Sequence, residues 1–312
     1  MEIIGRASKF MRVDLSSREW SEYPVSEKDQ RLYLGGKGLA IKIYYDLMQG
    51  RLGQVDALDP ENPVIFSLGV LLGTSAPCSA RFEVLTRSPL TGLLTGSSCG
   101  GPFGEALRTA GWDGLIVEGA SAKPLILRIG REGAVFEDGT ALWGMETGEA
   151  QEALKLTGKE GAALIGPAGE NGVLYANMRS GDRFAGRGGI GAVLGAKKLK
   201  ALVCRGWEVN ILPTEATAFK RAAALAKKRI GRNPMTIAYR DYGTANLLRP
   251  GIKTGYTPAL NFRDKAPPEA ESHSGEAMAA RYSTRYSTCR HCTILCGHKG
   301  MYPDGVTRQI PE

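Results

Sequence analysis

The chain has 312 residues, 43% of them hydrophobic and 23% charged, with a net charge of +8 at pH 7. That is enough for one large or two ordinary domains, and the balance excludes a disordered or fibrous chain. The positive charge suits an anionic ligand or an acidic partner. Nucleic acid is not expected, because the basic runs are short (Lys197–Lys200 and Lys227–Arg229), each reads as solvated surface charge, and no recognition motif accompanies them.

The opening residues carry no apolar signal core, so a cytoplasmic location is expected. Phe10–Leu15 alternates apolar and polar residues, turns at Ser16-Ser17 and resumes at Trp20–Val25, which predicts a hairpin. Leu39–Met48 repeats apolar residues at i, i+4 and i+8, which predicts a helix. The longest apolar run, Val64–Leu72, is far short of the ~20 residues of a membrane span and reads as a strand, so no membrane is expected. Further strands are predicted at Arg81–Leu85, Leu93–Gly96, Leu115–Glu118, Pro124–Ile129, Ala134–Glu137, Ala163–Ile165 and Ala201–Cys204. Short helices are predicted at Phe103–Ala110, Glu149–Leu156 and Gly191–Leu199. Helices are too few for a regular βαβ alternation, so the expected class is α+β with mostly antiparallel sheets.

The composition changes after this. Thr214–Ile230 is rich in Ala and Lys and predicts a helix, with Thr214 as N-cap and Glu215 in its first turn. Loops follow at Asn233-Pro234, Arg249-Pro250-Gly251 and Ala266-Pro267-Pro268, then a helix at Gly275–Tyr282. Two domains are expected, a β-rich one over 1–210 and a helical one over 211–312.

The 41 glycines are about twice the usual share of ~7%. Three glycine-rich loops each feed a predicted helix: Leu34-Gly35-Gly36-Lys37-Gly38, Ser97–Gly104, and Gly186-Arg187-Gly188-Gly189-Ile190-Gly191. Bare backbone amides before a helix suit a phosphate, and a tight packing turn is the competing reading. The third loop spells G-x-G-x-x-G. It follows a polar stretch (Ser180–Ala185) rather than a buried strand and lacks a ribose-binding acid at the required offset, so a dinucleotide fold is not expected. Arg81 and Arg183 lie upstream of such loops and have the planar fork that matches a phosphate.

Cys289, Cys292 and Cys296 form C-x2-C-x3-C. Clustered thiols in an otherwise Cys-poor chain favour a metal over disulfides. Three thiolates match part of a [4Fe–4S] set, whose fourth often comes from afar. His298 offers a Cys3His zinc site instead. Cys204 reads as a buried small residue, and Cys78 and Cys99 as packing or lining groups. His273 and His291 read as solvent-facing or hydrogen-bonded residues.

The stretches Gly73–Pro77, Ser88–Gly92, Cys99–Gly104, Ala110–Asp113, Ile165–Asn171 and Ala185–Val193, with the C-x2-C-x3-C, together resemble the aldehyde:ferredoxin oxidoreductase family from about residue 5 onward. The resemblance implies a base domain of two β-sheets supporting a tungstopterin (two pterins holding tungsten or molybdenum, with Mg2+ bridging them), followed by a helical domain. It implies a [4Fe–4S] cluster, an aldehyde substrate and ferredoxin as electron acceptor. By position, Arg81, Ser98, Gly100, Arg183, Phe184 and Gly186 match pterin-contacting positions, and Cys289, Cys292 and Cys296 match three cluster ligands. Ser98 stands where the family often has asparagine, and Phe184 where it has a small residue, so backbone contacts are expected there. By register, Glu312 stops just short of the family's catalytic glutamate. No catalytic residue is assigned, and a C-terminal half or second subunit is the expected partner. The alternatives are a ring reductase of the benzoyl-CoA type, an inactive fragment, or a Cys-metal binding module.

Overall fold

The computed structural model describes residues 2–282 and 284–309. Two compact units emerge. The first runs to Ser75 and from Ser79 to Ala216; the second comprises Ala76–Cys78 and the chain from Thr217 onward.

The first unit contains, in order, β1 (Glu2–Ile4), β2 (Lys9–Asp14), β3 (Glu19–Pro24), α1 (Glu27–Tyr33), α2 (Gly36–Leu47), β4 (Val64–Leu68), β5 (Phe82–Arg87), β6 (Leu94–Cys99), α3 (Pro102–Thr109), β7 (Gly114–Glu118), β8 (Leu125–Gly130), β9 (Gly133–Asp138), α4 (Thr147–Ala153), β10 (Glu160–Leu164), α5 (Pro167–Glu170), β11 (Met178–Ser180), β12 (Arg183–Ala185), α6 (Ile190–Ala196), β13 (Leu199–Arg205) and β14 (Asn210–Leu212). One six-stranded sheet has the order β3-β2-β7-β4-β5-β6 and is antiparallel except between β2 and β7. The other has the order β12-β11-β10-β13-β8-β9 and is antiparallel except between β13 and β8. A short parallel pair, β1 with β14, ties the two ends of the unit together. The expected α+β class with mostly antiparallel sheets is what forms.

Side-chain alternation explains the layering. Met11, Val13, Val64, Phe66, Val84, Leu115 and Val117 of the first sheet share one buried cluster with Leu125, Leu127, Ile129, Ala163, Leu202 and Cys204 of the second and with Phe103, Ala106 and Leu107 of α3. Their strand neighbours Phe10, Ile65, Leu85 and Ile116 point the other way, onto Leu39, Ala40, Ile43 and Tyr44 of α2. In the second sheet Ile126, Ala162, Leu164, Ala201 and Val203 pack on Ala150 and Leu154. Strands buried on both faces read as continuous apolar runs, which is why V-I-F-S-L shows no alternation. Each large side chain so buried contributes ~1.5–3 kcal/mol.

The second unit holds α7 (Ala216–Arg232) from its second residue onward, α8 (Pro234–Tyr242), α9 (Leu248–Thr254), β15 (Pro258–Ala259), β16 (Asp264–Lys265), α10 (Gly275–Arg281), β17 (Thr284–Tyr286), β18 (His298–Met301) and β19 (Thr307–Gln309). The last three form one antiparallel sheet.

Several expectations are corrected. Asn233-Pro234 begins a helix rather than a loop: the Asn233 side chain accepts from the Met235 amide, and Pro234 occupies the first helical position, where its missing N–H costs nothing. Pro250 likewise falls in the first turn of α9. Ser26 caps α1 by accepting from the Asp29 amide, a start signal absent from the predicted elements. Ser180–Ala185 is an edge hairpin, β11 and β12, turning at Gly181 (φ 59°). Being antiparallel, it still does not supply the parallel strand of a dinucleotide site.

The Lys197–Lys200 run is not solvated either. Lys197 and Lys200 are fully buried. Lys200 Nζ donates to the Met145 carbonyl (2.9 Å) and pairs with Glu170, whose other oxygen accepts from the Gly144 amide at 2.7 Å. A buried pair with its remaining positions satisfied can repay its desolvation, whereas removing one partner strands a charge. Lys197 Nζ donates to the carbonyls of Pro60 (2.7 Å) and Gly119 (3.1 Å) and, among the described residues, faces no carboxylate at contact distance. Burial pulls its pKa from 10.5 down to about 8.

This has a pH consequence. The unfolded chain keeps the Lys197 proton up to about pH 10.5, while the folded chain gives it up from about pH 8. The unfolded state therefore binds more protons in that window, and stability rises with pH there. The unfolding free energy of the wild type relative to K197M should increase between those limits by up to about 3 kcal/mol. A flat difference curve from denaturant melts across pH 7–11 would contradict this account.

Candidate cofactor site

Arg81 directly precedes β5, while Ser98 and Gly100 close β6. The two strands pair antiparallel with Phe82 opposite Cys99, so the start of one meets the end of the other. Arg81 Nη2 donates to the Ser98 carbonyl at 3.2 Å. Arg183 and Phe184 lie on the edge strand β12, opposite Ser180 and Arg179, and Gly186 follows at once.

Close backbone approaches join these two places. Gly101 caps α3 with φ 87°, and a Cβ there would lie 2.1 Å from the Ser180 carbonyl oxygen. The Phe103 amide donates to Ser180 Oγ (3.3 Å), and the Arg187 amide to Ser97 Oγ (3.3 Å). Arg81, Ser98, Gly100, Arg183, Phe184 and Gly186 are thereby gathered along one edge, where the end of β6 meets the β11–β12 hairpin. Arg81, Ser98, Phe184 and Gly186 are exposed, Arg183 is half-buried, and Gly100 is buried.

The glycines of the third loop divide between the two readings. Gly188 (φ 83°) would place a Cβ 2.4 Å from Thr95 Cγ2, and Gly189 (φ 70°) 2.0 Å from the Leu174 carbonyl oxygen. Those two serve packing. Gly186 has open space where its side chain would be, so its backbone is approachable by a ligand.

Two residues were not singled out as site residues from the sequence. Glu83, nearly buried on β5, accepts from the Ser98 hydroxyl at 2.6 Å, and Lys37 Nζ of α2 stands 3.4 Å from its other oxygen. That second oxygen receives no hydrogen bond from the described residues. Gly96 leaves room for the pair: a Cβ there would lie 2.4 Å from Glu83 Oε1 and 2.8 Å from Lys37 Cε. The first glycine loop is thus tied to the same edge through Lys37. The signal was a carboxylate inside an otherwise apolar strand, R-F-E-V-L. The Ser98 side chain is turned to Glu83, so its backbone faces Arg81. Open hollows of about 430–520 Å³ lie elsewhere on this unit, around Trp20 of β3, and no residue of the three glycine loops lines them.

In the second unit, the cysteine motif occupies the loop between β17 and β18. The ladder pairs Tyr286 with His298, and the Ser287 amide donates to the Gly297 carbonyl at 2.7 Å, closing the loop's neck. Inside it the Cys292 amide donates to the Cys289 carbonyl (3.1 Å), and His291 and Leu295 take positive φ (55° and 60°). Cys289, Cys292 and Cys296 are all half-buried. Burial pushes the Cys292 thiol pKa up, but the amides of Leu295 and Ile294 and the side chains of Cys78 and Thr288 outweigh it, leaving the pKa below the ordinary thiol value.

Cys78 is not a packing group of the glycine-loop unit. It belongs to the second unit, exposed, with its sulfur 3.8 Å from Cys292 Sγ. Cys99 and Cys204 are buried, as small apolar residues are, and burial raises the Cys204 thiol well above its usual range. Among the described residues no three His, Cys, Asp or Glu side chains form a group that could hold one ion. A cubane takes one thiolate per iron, so its ligands need not meet at a point. His298 is buried in β18, edge-on to Tyr286, and its Nε2 has no hydrogen bond among the described residues. Glu312 lies outside the described residues.

Removing the Ser98 hydroxyl leaves a buried carboxylate oxygen without its donor. S98A should lose about 1–3 kcal/mol of stability while keeping the backbone carbonyl at its place. A denaturant midpoint equal to wild type would show that the Glu83 contact carries no energy.

The family model for the N-terminal domain of aldehyde ferredoxin oxidoreductase matches residues 10–206, and that for domains 2 and 3 of the same enzyme matches residues 221–312. The tungsten-containing aldehyde ferredoxin oxidoreductase of Pyrococcus furiosus is 37% identical over 99% of this chain and 51% of its own length. The enzyme of the same name from Thermococcus kodakarensis is 38% identical over the same shares. This chain spans about half the length of these curated relatives. Among solved structures, the active-site complex BamBC of benzoyl coenzyme A reductase, in complex with 1,5-dienoyl-CoA, aligns with a TM-score of 0.79 and 28% identity, over 98% of this chain and 48% of that one.

Proposed function

The chain belongs to the aldehyde ferredoxin oxidoreductase family, and on that premise we propose that it carries the pterin- and cluster-holding residues of a cytoplasmic tungsten- or molybdenum-pterin enzyme that oxidises aldehydes to carboxylic acids. In this reading electrons leave through a [4Fe–4S] cluster to ferredoxin, and the remaining length of the enzyme, as a further segment or a second subunit, completes the active site. The observation that carries the reading is the gathering of Arg81, Ser98, Gly100, Arg183, Phe184 and Gly186 along one edge.

The residues fit the group. Pterin phosphates are anions, and Arg81 and Arg183 offer forked, permanently charged donors. The open backbone at Gly186 lets amides come close. A Mg2+ between the pterins would draw on hard oxygen donors such as the Ser98 carbonyl. Soft dithiolene sulfurs of the pterins would suit tungsten or molybdenum, so the chain need lend that metal no ligand. When bound, this group supplies the two-electron chemistry, and the cluster carries electrons singly.

The chain's own residues position and insulate. Glu83 holds Lys37 and the Ser98 hydroxyl, leaving backbone and guanidinium at the edge. Cys289, Cys292 and Cys296 supply three thiolates, and the backbone amides around Cys292 stabilise its anionic form. The likeness to the benzoyl coenzyme A reductase complex favours a second reading, ring reduction of an aroyl-CoA on the same scaffold. Among the described residues no helix is long and apolar enough to cross a membrane.

Elemental analysis of the assembled enzyme tests the core of this reading. Tungsten or molybdenum together with four irons is the expected result; neither metal above background would sink it. Turnover of aldehydes against aroyl-CoA separates the two activities. R183A should lower the pterin retained through purification several-fold, and undiminished pterin would argue against a phosphate contact. C292S should remove the broad absorption near ~400 nm of thiolate-bound iron–sulfur centres. An unaltered spectrum would exclude Cys292 as a ligand.

A further inference from the structure

Cys78 lies 214 positions from Cys292 in sequence, yet the two sulfurs are 3.8 Å apart. Three features hold it there. The Cys78 amide donates to the His291 carbonyl at 3.2 Å, which sets its backbone beside the peptide that enters Cys292. Cys78 has φ 60°, a left-handed conformation that is costly for a residue with a side chain. Its sulfur also approaches Thr293 Oγ1 at 4.0 Å. The Cys78 thiol is exposed, whereas Cys292 is half-buried.

A fourth cluster ligand is not the best account of this thiol. Each cysteine of a cubane serves its own iron, and sulfurs on different irons stand further apart than two sulfurs in contact. Disulfide formation asks for much less. The gap must close to about 2.05 Å, which side-chain rotation can do once the backbones lie side by side, as disulfides need. Disulfides in reducing compartments are typically transient and redox-sensing rather than structural.

We propose that Cys78 and Cys292 form a reversible disulfide in the cluster-free chain, occupying one cysteine of the C-x2-C-x3-C motif. The oxidant is a small disulfide of the glutathione type. The exposed Cys78 attacks it, releasing one glutathione thiol and forming a mixed disulfide; Cys292 then attacks the Cys78 sulfur, releasing the second. One S–S bond forms in the protein and one breaks in the oxidant. The two electrons and two protons leave on the two glutathione thiols. The consequence for iron rests on the cluster reading above; the disulfide itself does not. A chain so oxidised cannot accept a cluster until a thiol reduces it, which would protect Cys292 from irreversible oxidation while it waits for iron.

The test uses the 312-residue chain, stripped of iron with a chelator and equilibrated anaerobically with glutathione disulfide. Peptides are mapped without reduction. The expected product is a Cys78–Cys292 linked peptide that disappears with dithiothreitol. Cross-links confined to Cys289–Cys292 or Cys292–Cys296, or no cross-link at all, would overturn the proposal. A second arm adds ferrous iron and sulfide and follows the visible band. Oxidised wild type should fail to develop it, reduced wild type should develop it, and C78S should develop it with or without prior glutathione disulfide. A linked peptide together with no iron uptake by reduced wild type or by C78S, each combined with the remaining length of the enzyme, would leave the disulfide standing and overturn the cluster reading instead.

Discussion

Gly101 lies bare against the Ser180 carbonyl, and the candidate cofactor edge depends on that approach. No side chain fits in the gap, since a Cβ would come within 2.1 Å of the oxygen. The contact lets the end of one sheet abut the edge hairpin of the other. Arg81 and Ser98 come from the first sheet, and Arg183, Phe184 and Gly186 from the second. Neither sheet alone carries the set. The shared apolar cluster beneath, from Phe66 through Phe103 to Leu202, holds the sheets face to face. Burial supplies the energy, and the glycine supplies the register.

Polar groups refine what the core positions. Glu83 is buried on a strand and takes the Ser98 hydroxyl, which leaves the Ser98 carbonyl to accept from Arg81. Lys200 with Glu170, and Lys197 on two carbonyls, reach into the interior around α5 and α6. Such groups are expensive to bury, and each here is tied to fixed acceptors. They tie α5 and the end of α6 to neighbouring loops, and both helices are too brief to be stable by propensity alone.

The cysteine loop follows a different logic. Its neck is a β-ladder, and its path is set by positive-φ residues rather than by a core. The segment Ala76–Cys78 brings a further thiol to it from a remote part of the chain.

Much was legible from local rules. Alternation located the β2–β3 hairpin, and apolar runs located β4, β7 and β13, because burial on one or both faces leaves a direct mark on composition. The α2 helix followed from spacing, and α3, α7 and α10 formed close to their expected spans; α7 begins at Ala216, past the expected Thr214 cap, and has no acid in its first turn, so Glu215 lies outside it. The candidate site residues came from glycine loops, arginines and the thiol triplet, read through a family likeness. What stayed hidden has a common cause. Whether Lys197 is solvated, whether Gly186 or Gly188 is open, and which sulfur Cys78 touches depend on groups tens or hundreds of residues away. The sequence by itself determined the type of each element and the kinds of donor available, since propensity and periodicity act over a few residues. Only the tertiary structure decided which donors meet, because contact between distant segments is settled by how two sheets pack and where bare backbone lets them close.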